Sequence, residues 1–114
     1  MDSLKIAKKC EEILDDKKGI DIKLIKPAKD NVLADYIVIA TGTSSTHVKA
    51  LADEVEVKLK ELGVFPHHIE GHRSNTWILI DYTDVIVHVF SEEARTYYNI
   101  YGESVDKCSF KEEM

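Results

Sequence analysis

A chain of 114 residues, 44% of them hydrophobic, is one domain, large enough for a core but too small to wall a deep catalytic cleft with its own structure. No apolar run approaches the roughly 20 residues that span a bilayer, and the start MDSLKIAKKCEE lacks the apolar segment of a signal peptide, so a cytosolic protein is expected. The net charge of −6 gathers late: Glu70 to Asp106 hold seven acids against Arg73 and Arg95, which disfavours direct nucleic-acid binding by this half and suits a basic protein partner.

Residues 4 to 18 place Leu4, Ile6, Ala7, Cys10, Ile13 and Leu14 at helical spacing, with Gly19 positioned to end the helix. Cys10 and Cys108 lie near opposite ends of the chain and read as free thiols in a reducing compartment. DIKLIK, 21 to 26, alternates as a strand, and KPAKDN is a polar connection through Pro27. DYIVIAT, 35 to 41, is apolar on both faces and rich in β-branched residues, which predicts a central strand ending at Gly42.

TSSTHVKALADEVEVKLKELG sets Val48, Leu51, Ala52, Val55, Leu59 and Leu62 at offsets of three and four, a helix capped by Ser44 or Ser45 and terminated by Gly63. VFPHHIEG gives a short strand with Pro66 at its start, suited to a sheet edge. SNTWILIDYTDVIVHVF, 74 to 90, reads as two strands joined at Tyr82-Thr83, and SEEARTYYNIYG as a helix capped by Ser91 with Glu92 and Glu93 on its N-terminal dipole. Residues 1 to 102 thus make the domain, and 103 to 114 read as a charged, disordered tail. Helix, two strands, helix, three strands, helix describes an α/β sandwich around a mixed five-stranded sheet.

A two-residue loop at Tyr82-Thr83 would pair Trp77 with His88, Leu79 with Ile86 and Asp81 with Asp84. One face of that hairpin carries Ile78, Ile80, Val85, Val87 and Val89, a continuous aliphatic surface suited to packing under helices. The other carries Trp77, Leu79, Asp81, Asp84, Ile86, His88 and Phe90, apolar at one end and acidic at the turn, which is the composition of an interface. On this reading truncating Trp77 leaves the fold intact. The competing reading has helices covering both faces, with Trp77 as ordinary packing.

The same residues carry a resemblance. ADYIVIATGTSSTHVKALADEVEVKLKELG, then EG, WILIDYTDVIVHVF and RTYYNI, resemble the ribosomal silencing factor family, also called iojap-like, from about Leu14 to Ile100. The shared pattern comprises Ala34-Asp35-Tyr36, Gly42 and Ser44, Trp77 with Asp81-Tyr82, Val87 to Phe90, and Arg95 with Tyr98. The resemblance implies a fold distantly similar to nucleotidyltransferases. It also implies a protein that docks on the large ribosomal subunit through the basic ribosomal protein numbered fourteen, blocks joining of the small subunit, and lowers translation when nutrients are scarce. The implied partner surface includes the tryptophan strand, so the expected contact residues are Trp77, Leu79, Asp81, Tyr82, Asp84, Ile86, His88 and Phe90, with a homodimer when no ribosome is present. Two departures stand out: Thr83 where members usually have Gly, and Ile100 to Ser104 where most continue Leu-Glu-x-x-Trp.

Two other readings compete. A nucleotidyltransferase-like enzyme would use Gly42-Thr43-Ser44 to hold phosphate and Asp81 with Asp84 to hold magnesium, yet a metal pair normally sits at i and i+2 on one strand. A metal module would draw on His47, His67, His68, His72 or His88, but none has convincing spacing or a neighbouring Cys. No catalytic, cofactor or metal residue is therefore assigned.

Overall fold

A computed structural model describes residues 2–26, 34–71 and 76–97. The connection through Pro27, residues 98–102 of the predicted last helix, and the tail at 103–114 lie outside the described residues.

Helix α1 (Ser3–Asp16) begins where the Asp2 carboxylate accepts the Lys5 N–H at 2.8 Å. It ends in a Schellman motif in which the Lys18 N–H donates to Asp15 O and the Gly19 N–H to Leu14 O. The left-handed residue there is Lys18, at φ 67°, and not Gly19. Gly19 is needed for a different reason: a Cβ would sit 2.9 Å from the Leu14 oxygen. Helix α2 (Ser45–Glu61) is capped by Ser44, whose Oγ accepts the His47 N–H at 3.1 Å, and closes with Gly63 at φ 82°.

Strands β1 (Ile20–Ile25), β2 (Tyr36–Gly42), β3 (His68–Gly71), β4 (Trp77–Asp81) and β5 (Val85–Ser91) form one sheet in the order β1-β2-β5-β4-β3. The β2–β5 pair is parallel and the other three are antiparallel, so the sheet is mixed, as expected. A third helix, α3 (Glu92–Tyr97), follows β5 directly, and Ser91 Oγ accepts the Ala94 N–H at 3.1 Å.

Both long helices lie on the same face. Ala7, Cys10, Ile13 and Leu14 of α1 and Val48, Leu51, Val55 and Leu59 of α2 pack onto Val38, Ala40, Ile78, Ile80, Val85, Val87 and Val89. Each fully buried aliphatic contributes roughly 1.5–3 kcal/mol, and truncating one such as Leu51 to Ala would cost about 2–5 kcal/mol. Burial pushes the Cys10 thiol up to about 12, so it serves the core as a small apolar side chain and stays unreactive. Gly42 lies under α2, where a Cβ would come within 2.9 Å of Val48; close packing, not a positive φ, is what requires glycine there.

Candidate functional site

With α1 and α2 on one side, the second side of the sheet is built from alternate strand residues: Ile37 and Ile39 of β2, Ile86, His88 and Phe90 of β5, Trp77, Leu79 and Asp81 of β4, and His68 and Glu70 of β3. Helix α3 packs over one end of it against β5 and β2.

The hairpin register differs from the expected one. Trp77 lies opposite Phe90, Leu79 opposite His88 and Asp81 opposite Ile86. The loop falls at Thr83-Asp84, one residue later than predicted, closed by Tyr82 N–H to Val85 O at 2.8 Å and Asp84 N–H to Tyr82 O at 2.9 Å. Moving the pairing by two residues preserves every strand residue's face, so the division into an aliphatic and an aromatic side holds. The predicted register would have set two carboxylates directly opposite each other, which is unfavourable. In the observed one Asp81 lies beside Ile86, and its Oδ1 accepts the Thr83 N–H at 2.7 Å, bracing the turn.

That shift takes two of the eight expected contact residues out of the strand ladder. Asp84 leaves the ladder and stands exposed in the turn, where its carbonyl accepts the Asp35 and Tyr36 N–H groups. Tyr82 moves to the helix side, buried in the core. Its phenol is raised above its ordinary range by burial first, then by the neighbouring Cys10 and Glu56.

Three more of the eight are interior: Leu79 is 5% exposed, His88 1% and Phe90 0%, too deep for direct contact with a partner. Trp77, Asp81 and Ile86 are half-buried and reach the surface with Asp84. Beneath them lies an aromatic stack, with Trp77 and Phe90 centroids 5.3 Å apart, Trp77 and His88 5.8 Å, and His88 and Phe90 5.9 Å. The Trp77 Nε1–H donates to His88 Nδ1 at 3.0 Å, which fixes the neutral tautomer with its proton on Nε2. Burial pushes the His88 imidazole down to about 3, so it is neutral at physiological pH.

The sequence reading missed His68 and Glu70. They are exposed on the same side as Asp81 and Leu79, and His68 Nε2 meets Glu70 Oε2 at 2.7 Å. The signal available was the alternation in HHIEG, unusable until the β3–β4 register was known. His47 is occupied structurally: its Nδ1 accepts the Thr43 N–H at 2.9 Å and its Nε2–H donates to Lys17 O at 2.9 Å, tying the β2–α2 turn to the end of α1. Among the described residues no group of three His, Cys, Asp or Glu is arranged to hold a metal ion.

The family model described as ribosomal silencing factor during starvation matches residues 1–102. The chain belongs to the ribosomal silencing factor family. A ribosomal silencing factor from Chromobacterium violaceum is 45% identical over 100 residues, covering 88% of this chain and 82% of the relative. One from Bacillus subtilis is 35% identical over 100 residues, covering 88% and 85%. A crystal structure of a Chromobacterium violaceum protein superposes with a TM-score of 0.84 at 44% identity over 90% of this chain and 85% of that one. Silencing-factor membership associates the chain with the ribosome and with silencing of translation, and no described helix is long and apolar enough to cross a membrane.

Proposed function

We propose that this chain silences translation by docking on the large ribosomal subunit through the basic ribosomal protein numbered fourteen, sterically preventing the small subunit from joining when nutrients are scarce. The observation that carries the docking face is Trp77: a large, half-buried aromatic on a rigid strand, held from below by His88 and Phe90, with the acids Asp81 and Asp84 at the turn end of the same hairpin. Anchors of this kind, an aromatic fixed in place by its packing, dominate the affinity of protein interfaces, and the acids further along the hairpin suit a basic partner. Trp77, Asp81, Asp84 and Ile86 make the contact, while Leu79, His88 and Phe90 hold the contact residues in position. The mechanism is steric and needs neither catalysis nor cofactor. Without a ribosome the chain forms a homodimer, and the site of action is the cytoplasm.

Asp84→Lys tests this directly, because Asp84 is exposed and its structural contact is made by its backbone. Co-sedimentation with isolated large subunits should weaken by about tenfold or more with the melting temperature unchanged. Light scattering from mixed subunits should show joining inhibited by the unsubstituted chain and restored with the variant. Failure of the unsubstituted chain to sediment with large subunits, or unimpeded joining in its presence, would refute the proposal.

A further inference from the structure

The two edges of the sheet are built differently. At the β1 edge the register shifts between Ile20 and Lys23, Asp21 takes left-handed backbone at φ 53°, and Lys23 and Lys26 stand exposed. Bulges and edge lysines are how natural sheets refuse another strand. The β3 edge is only four residues long and ends in left-handed backbone at Gly71, φ 100°, but it carries no lysine and no bulge: His68 to Gly71 run in unbroken register along β4, and among the described residues β4 is the only strand paired with β3.

Beside that edge, on the helix side, a groove of about 120 Å³ runs between α2 and the sheet, floored by Ala52, Ile78 and Ile80. Ile69 stands at its mouth, 42% exposed. Gly71 adds no side chain, and its backbone approaches β4 so closely that a Cβ would collide with the Trp77 carbonyl oxygen. The charges around the groove are mostly negative. Lys49 is held by Asp53 at 2.8 Å, leaving Glu56 on the rim, and Glu70 flanks the edge from the opposite face beside His68.

We propose that the β3 edge is a strand-addition site that accepts an extended segment of a partner protein with alternating apolar and basic side chains. An added strand gains backbone hydrogen bonds along β3, and its side chains alternate between the two faces. Those on the helix side enter the groove beside Ile69, where apolar groups fit. Those on the other side meet Glu70 and His68, where lysine or arginine fits. A second copy of the chain is the poorer occupant, because pairing β3 with itself would bring Glu70, Asp53 and Glu56 towards their own counterparts. This surface lies at the sheet edge and does not depend on the Trp77 contact.

The test titrates a short synthetic peptide of alternating valine and lysine, with blocked ends, into the full 114-residue chain. Two further versions are N-methylated at odd or at even backbone amides, which preserves charge and side chains while removing strand hydrogen bonds. Amide NMR should show saturable shifts at Ile69 and Glu70, and at least one methylated version should bind about tenfold more weakly. Ile69→Lys and Glu70→Lys should each weaken the parent peptide by a similar factor with unchanged melting temperatures. A peptide alternating valine and glutamate should not bind. Absence of saturable binding, equal binding of all methylated forms, or shifts confined to the Trp77 face would overturn the proposal. So would a concentration-dependent dimer of the chain that Ile69→Lys dissolves, since the edge would then belong to a second copy.

Discussion

Trp77 and His88 depend on each other. The buried imidazole has Nδ1 satisfied by the indole N–H, and the indole is held flat against Phe90. Trp77→Ala therefore does more than remove a surface anchor: it leaves a buried acceptor unpaired and opens the stack, and should cost about 3–5 kcal/mol in urea unfolding. Trp77→Phe, which keeps the stack but not the donor, should cost about 1–3 kcal/mol. The expectation that truncation spares the fold gives way here, and partner binding of these variants has to be measured on the folded fraction. His88 also makes stability depend on pH. Unfolded, the ring takes up a proton near pH 6.5; folded, only near pH 3. Between these values the unfolded state binds more protons, so stability falls as pH drops, by up to about 1.4 kcal/mol per pH unit from this group. His88→Asn should be less stable at pH 7 yet show a flatter decline between pH 7 and pH 5. Equal slopes in the two proteins would show that His88 is not the titrating group.

At the level of elements, strained backbone marks two places where the chain can be improved. Lys18 ends α1 at φ 67° and Thr83 turns the hairpin at φ 77°, both in a region that side chains resist and a β-branched residue resists most. Lys18→Gly and Thr83→Gly should each stabilise by about 0.5–1 kcal/mol, read as raised melting temperatures. Ser44→Ala should lower stability by about 0.5–2 kcal/mol through loss of the α2 cap, without abolishing subunit binding. These elements also show what the sequence could reveal. The spacing of Val48, Leu51, Val55 and Leu59 is visible to anyone counting threes and fours, and so were α2, its cap and its glycine end. The alternation from Trp77 to Asp81 and from Val85 to Phe90 assigned faces correctly even with the loop misplaced, because a shift of two residues leaves parity unchanged. Depth was not legible. Leu79, His88 and Phe90 alternate with core residues whether or not they meet solvent, and what buries them is packing between elements remote in sequence, which no local pattern encodes. Tyr82 followed the loop: its face was decided by where the turn fell.

For the molecule as a whole, charge and topology act separately. The acidic half described by Glu70 to Asp106 should steer encounter with a basic partner, so the association rate with large subunits should fall as salt rises while the dissociation rate changes little. Stopped-flow measurements at low and high salt check this, and an unchanged association rate would exclude an acidic docking face. Topology governs something else. Among the described residues the strand at the middle of the sheet, β5, comes fifth of five in chain order, and it alone joins β2 to β4. Any stretch of chain that stops short of Val85 holds at most two separate strand pairs, with Val38 and Ala40 on one and Ile78 and Ile80 on the other, and no shared sheet beneath the helices. A nascent chain therefore gains little from folding piecemeal while it is being made. The long-range closure between β2 and β5 should therefore come late, with the sheet completed only once that strand is free.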